Sequence, residues 1–88
     1  MSWELRYSAK AVKQLRKFDP GVHTIILSWM DKNIQGCENP RIHGKALSGN
    51  LAGAWRYRVG DYRILCELHD ESLVVLAIEI AHRREVYR

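Results

Sequence analysis

Apolar and polar positions alternate at the start of the chain: Trp3, Leu5 and Tyr7 interleave with Glu4 and Arg6, the period-two pattern of a short strand. Ser8 then offers a side-chain cap, and over residues 9–18 the period lengthens. Val12, Leu15 and Phe18 recur every three residues while Lys10, Lys13, Gln14, Arg16 and Lys17 take the intervening places, an amphipathic helix with a basic outer face. Asp19-Pro20 marks a fresh helix start, Asp19 as cap and Pro20 at the first helical position, where its missing N–H costs nothing. In this second helix Val22, Ile25, Ile26, Trp29 and Met30 trace a stripe expected to be buried, and Gly36 is placed to end it. The two helices are expected to form a hairpin.

Residues 37–54 carry Pro40, Gly44, Gly49 and Gly53 and read as a loop decorated by Arg41, His43 and Lys45. Alternation resumes at Trp55, Tyr57 and Val59 against Arg56 and Arg58; Gly60-Asp61 supplies a turn, and a second strand follows over residues 62–68. After the turn His69-Asp70-Glu71-Ser72, residues 73–81 are rich enough in apolar and β-branched side chains for a central strand buried on both faces. No helix is expected after it. The order is strand, helical hairpin and three-stranded antiparallel meander, so the expected class is α+β, with both helices on one sheet face. The other face is expected to be open and to collect the outward-pointing arginines.

Length and composition narrow the reading further. Eighty-eight residues suffice for one core, so a single domain over residues 1–88 is expected, and 47% apolar with 27% charged residues is ordinary globular usage rather than disorder. The longest apolar run, residues 73–78, is far short of a membrane span, and Met1-Ser2-Trp3-Glu4 does not resemble a signal peptide, so a cytoplasmic protein without membrane contact is expected. Cys37 and Cys66 are read as free thiols, Cys66 in the core. Trp3, Trp29 and Trp55 are assigned to the core as well. His23, His43 and His69 fall in different elements, so neither a metal site nor a cofactor is expected.

Fourteen Lys and Arg against ten Asp and Glu leave a net charge of +4, compatible with a polyanionic partner but insufficient to demand one. Placement says more. Arg56, Arg58, Arg63 and Arg83 lie on three strands of the expected meander and, with Arg84, His82 and Tyr87, are candidates to converge on one face. Guanidiniums gathered in one cleft repel unless an anion joins them, which favours a phosphate-bearing ligand; unrelated arginines on a solvated face are the alternative.

Three ordered stretches carry a family likeness: Gly44-Lys45-Ala46-Leu47-Ser48-Gly49, then Trp55-Arg56-Tyr57-Arg58-Val59-Gly60-Asp61-Tyr62-Arg63-Ile64-Leu65, then Ile80-Ala81-His82-Arg83-Arg84-Glu85-Val86-Tyr87. They resemble the patterns K-L-x-G, W-R-x-R-x-G-x-Y-R-x-x-Y and x-G-H-R-x-x-V-Y of RelE-like toxins in the RelE/ParE superfamily. The resemblance implies a metal-independent endoribonuclease that cleaves mRNA in the ribosomal A site: a ribose 2′-hydroxyl attacks the adjacent phosphodiester, leaving a 2′,3′-cyclic phosphate and a 5′-hydroxyl.

Carried across by position, the likeness assigns Arg56 and Arg58 to the charge of the pentavalent phosphorane, Arg63 to orienting the phosphate, and Arg83 to the leaving 5′-oxygen. Tyr87 matches a tyrosine that stacks on a base or accepts the 2′-hydroxyl proton. Where well-known members carry two lysines this chain has Arg56 and Arg58, and a guanidinium is a poor proton acceptor, so a general-base role shifts to Tyr87 or His82, a histidine hydrogen-bonded at a strand end being the alternative for His82. The spacing from Arg83 to Tyr87 is also shorter than in some relatives.

Lys45 and Arg84, and Lys10, Lys13 and Lys17 with Arg16 on the first helix, are candidates for RNA phosphates, a solvated surface being the alternative. The implied partners are a RelB-like antitoxin, the ribosome with its 16S rRNA, and mRNA, with operator DNA reached only through the antitoxin. Within the superfamily the competing function is that of ParE-like toxins, which poison DNA gyrase without nuclease chemistry. A regulatory nucleic-acid-binding module is a third reading.

Overall fold

The computed structural model of the protein describes residues 1–86. The elements run β1 (Glu4–Tyr7), α1 (Ala9–Lys17), α2 (Pro20–Asn33), β2 (Lys45–Ala46), β3 (Trp55–Val59), β4 (Tyr62–His69), β5 (Val74–His82) and α3 (Arg83–Val86). The class is α+β, as the pattern predicts. Ser8 caps α1, its Oγ accepting from Ala11 N at 3.1 Å. Asp19 occupies the cap position of α2 but makes no side-chain capping bond, so that helix begins on Pro20 alone.

Several expectations are corrected. The stretch 37–54 is not all loop: Lys45 and Ala46 pair with Arg56 and Trp55 as β2, too short a strand to show alternation. Single 3-10 turns at Pro40–Ile42 and Gly49–Leu51 flank it. A one-turn helix, α3, follows β5. Among the described residues the sheet therefore has five strands, ordered β1-β5-β4-β3-β2, and β1 joins β5 in parallel while the other pairs are antiparallel. The middle strand is β4, and β5 buries mainly one face, through Val75, Ala77 and Ile80.

The helices meet the sheet through residues spaced four apart. Ala11 and Leu15 of α1, rather than Val12, and Ile26 and Met30 of α2, followed by Ile34, are buried against Tyr57, Val59, Ile64 and Cys66. Ile25 departs from its expected stripe and is 60% exposed, because one residue turns about 100° around the helix from Ile26. Helix α2 stops at Asn33; Gly36 lies beyond it at φ 75° and donates its N–H to Trp3 O, while Trp3 N bonds Cys37 O. Those bonds fasten the end of the hairpin to the start of β1 and bury Trp3. Trp29 and Trp55 are only half-buried, and Trp55 donates Nε1–H to His43 O at 2.7 Å.

Strand β1 covers β5 only from Val74 to Ala77, and α1 takes over along the remaining edge. Ser8 Oγ donates to Ile78 O, and Gln14 Oε1 accepts the Ile80 N–H at 2.6 Å. A helix side chain thus satisfies a backbone donor that a missing strand would otherwise leave bare. Among the described residues no helix is long and apolar enough to cross a membrane.

Candidate nucleic-acid interface

The β3–β4 ladder decides which side chains share a face. Tyr57, Val59, Ile64 and Cys66 point to the helices and are buried, and by alternation Arg56, Arg58, Arg63 and Leu65 point the other way, to a face less open than expected, since Leu65 is buried there too. Cross-strand partners lie on one side of the sheet, and two rows result. One runs Lys45, Arg56, Leu65, Glu79; the other runs Arg58, Arg63, Ala81. The rows hold four cationic side chains and one carboxylate, and that carboxylate is engaged at its edge by Lys10 Nζ at 2.9 Å. Arg58 is exposed, whereas Arg56 and Arg63 are half-buried, which limits the freedom of their side chains.

Lys45 reaches this face only through β2, which places it opposite Arg56. Gly44 makes that possible. It sits at φ 80°, and a Cβ there would collide with Arg56 O and approach Trp55 Nε1 to 2.7 Å, so the chain passes against β3 only because the side chain is absent.

Arg83 follows β5 and is held at the β3–β4 turn, its N–H donating to Asp61 O at 2.8 Å and its Nε 3.7 Å from Asp61 Oδ1. Its backbone therefore lies at the end of the sheet that carries Arg58 and Arg63. Arg84 N bonds His82 Nδ1 at 3.2 Å, and its side chain is exposed. Tyr87 lies outside the described residues.

His82 is not brought to the arginines. It pairs with Tyr62, and the two rings meet edge-on with centroids 5.2 Å apart while Tyr62 packs on Phe18 at 5.0 Å. The reason is phase: Ala81 is the partner of Arg63, so the next residue turns to the helix side. Of the basic positions of α1, only Lys10 reaches a row, at its Glu79 end, since the helix lies along β5 and not β3. Lys13, Arg16 and Lys17 are exposed there, and Lys10 is tied to Glu79.

Two features carry no mark in the sequence. Arg41 makes a bidentate pair with Asp70, both N···O distances 2.9 Å, with its guanidinium 6.0 Å from the Trp55 ring centroid. This clasp holds the loop before β2 to the β4–β5 turn, and the hydrogen bonds from Arg41 hold the Asp70 carboxyl below its usual range. Burial pushes the Tyr57 hydroxyl well above the ordinary tyrosine range, and that O–H donates to Pro40 O at 2.7 Å. It is a structural tyrosine beneath the arginine face. Elsewhere two adjoining recesses, of about 500 and 230 Å³, share Ile25 and Val59 and form an apolar groove between α2 and the β3–β4 hairpin.

A five-stranded α+β sheet with helices on one side and a cationic opposite face is the architecture of RelE/ParE superfamily type II toxins. The chain matches the model of the ParE toxin of type II toxin-antitoxin system, parDE, over residues 5–87 and belongs to that family. It is similar to Toxin RelG of Mycobacterium tuberculosis, 28% identical over 88 residues, spanning 100% of this chain and 99% of that protein.

Among solved structures, a chain of the M. tuberculosis toxin-antitoxin complex RelBE2 superimposes with a TM-score of 0.82 at 26% identity, over 97% of this chain and 95% of that one. A mutant E. coli RelE toxin in complex with an antitoxin RelBc peptide gives 0.73 at 26% identity, over 99% and 92%. The isolated E. coli RelE toxin, at 23% identity and a TM-score of 0.72 over 92% and 84%, shares the fold.

Proposed function

We propose that this protein is a cytoplasmic, single-domain toxin that cleaves mRNA in the ribosomal A site without a metal. The observation that carries the reading is the register placing Arg58 against Arg63, with Arg56 and Lys45 in the adjoining row of the same face, the one turned away from the helices. Such a surface suits a ligand with closely spaced negative charges. In the reaction the 2′-oxygen attacks phosphorus, the bond to the 5′-oxygen breaks, and a 2′,3′-cyclic phosphate and a 5′-hydroxyl result. Arg56 and Arg58 stabilise the phosphorane and Arg63 orients the phosphate through its fork. Arg83 stabilises the leaving 5′-oxygen and gives it the proton that makes the 5′-hydroxyl. His82 faces Tyr62, so the proton-acceptor role falls to Tyr87. The guanidiniums supply the positive charge that a metal ion supplies in other phosphoryl-transfer sites.

Partners follow from the same reading. Lys13, Lys17 and Arg84 contact rRNA phosphates. A RelB-like antitoxin neutralises the toxin, a proposal supported by the relatives solved with antitoxins and by the apolar groove beside Ile25 and Val59. Operator DNA is reached through the antitoxin.

Primer extension on a defined mRNA with programmed ribosomes tests the activity. A cut in the A-site codon is expected only when ribosomes are present, and Arg63→Ala is expected to reduce it by roughly 10²-fold or more. Intact mRNA in every lane overturns the reading. The match to the parDE toxin model favours gyrase poisoning as the second reading, and inhibition of gyrase supercoiling by the wild-type protein would establish that one instead.

A further inference from the structure

The pairing of β4 with β5 slips between Leu65 and Cys66: Leu65 opposes Glu79 and Cys66 opposes Ala77, leaving Ile78 as an extra residue. Such a bulge breaks the ladder and bends the sheet locally. Next to it lies a recess of about 380 Å³, with Leu51 and Ala54 on one side, Ile78 on another, and Glu67 and His69 in the wall. Glu67 is two residues along β4 from Leu65, the partner of Arg56, so it shares the arginine face. It stands one strand step, roughly 7 Å, from the Lys45–Arg56 row. A nucleotide whose phosphate is held at Arg56 can reach this recess with its base.

The wall chemistry is selective. His69 Nε2 lies 3.0 Å from Glu67 Oε1, which holds the carboxylate in one orientation, and both side chains remain about half exposed, 48% and 50%. An ionised carboxylate accepts hydrogen bonds and donates none. Of the four Watson–Crick edges, open to side chains only in single-stranded RNA, guanine alone presents two adjacent donors, N1–H and N2–H. Adenine and cytosine each set an acceptor nitrogen beside their one amino group, and uracil sets its N3–H between two carbonyls, so each of these meets the carboxylate with at least one repulsion. The apolar flanks Leu51 and Ile78 suit the faces of a planar ring.

We propose that the Glu67–His69 recess is a base-reading subsite for guanine, with Glu67 the specificity-determining residue and His69 its positioning partner. As a codon preference this rests on the ribonuclease reading above; as a nucleotide site it does not.

Two measurements separate the cases. The first is an NMR titration of the protein with 5′-GMP, AMP, CMP and UMP, followed at the His69 ring and the amides of residues 51–54. Guanine-selective shifts are expected, and they are expected to be abolished in Glu67→Gln, an isosteric change at an exposed site. Equal responses to all four nucleotides, or selectivity that survives Glu67→Gln, overturn the subsite. The second is primer extension on mRNAs differing only in one A-site base, read as the ratio of cutting with guanine to cutting with adenine. The wild type is expected to favour guanine at one codon position by about 5- to 150-fold, and Glu67→Gln to bring that ratio near one. Cutting that is indifferent to guanine at every position also overturns it. Selective GMP binding with intact mRNA supports the subsite and overturns the ribonuclease reading alone.

Discussion

Arg58 and Arg63 stand directly opposite one another across the β3–β4 ladder, so two like charges are held on one face of neighbouring strands. Directly opposed like charges destabilise a sheet. Arg58→Gln is therefore expected to raise the urea midpoint, a gain of about 0.2–1 kcal/mol, while mRNA cleavage on programmed ribosomes falls. A variant that is both less stable and fully active contradicts the view that this pair exists for an anionic ligand.

Gly44 sets the position of Lys45. Gly44→Ala places a methyl group against Arg56 O and 2.7 Å from Trp55 Nε1 at a φ of 80°, so both strain and overpacking act. Destabilisation of about 2–4 kcal/mol is expected from the two effects together. Thermal or urea unfolding measures it, and a loss under 0.5 kcal/mol shows that the loop passes β3 less closely than described.

The Arg41–Asp70 clasp has a definite pH signature. Hydrogen bonds from Arg41 lower the Asp70 carboxyl in the folded protein, so its stabilising contribution is fully present above the unfolded value of about 3.9 and is lost as pH falls through the lower folded value. Wild type is expected to melt above Asp70→Asn at pH 7, and the gap to close in strongly acidic buffer. A gap independent of pH assigns the effect to something other than this pair. Both side chains are solvent-accessible, so added salt narrows the gap at neutral pH as well.

The β5 edge depends on α1. Ser8 caps the helix and also donates to Ile78 O, and Gln14 accepts the Ile80 N–H. Ser8→Ala is expected to cost about 1–2 kcal/mol, and Gln14→Leu about 1–3 kcal/mol with faster amide exchange at Ile80. Unchanged exchange at Ile80 in Gln14→Leu separates that amide from the side chain that caps it.

The sequence by itself determines much of this protein, because the information is local. Alternation at Trp55 to Val59 and again from Tyr62, with Gly60-Asp61 between them, specifies a hairpin whose arginines share a face. The three-residue spacing of Val12, Leu15 and Phe18 and the four-residue spacing of Ile26 and Met30 specify helices, and Ser8 and Pro20 specify where they begin. The ordered basic and aromatic motifs identify the superfamily.

Only the tertiary structure decides what depends on distant partners. The parallel docking of β1 on β5 and the two-residue strand β2 exist because other strands present an edge to them, and neither leaves a local pattern. Ile25 reads as part of the buried stripe by its spacing, yet α2 turns Ile26 and Met30 to the sheet and leaves Ile25 at the lip of a groove. His82 reads as a neighbour of Arg83, yet pairing with Tyr62 turns it to the helices. The Glu67–His69 recess borders an unpaired residue, Ile78, in a ladder whose two strands each look regular. Side-chain direction within one strand follows from period two, but register between strands is set by how the whole core closes.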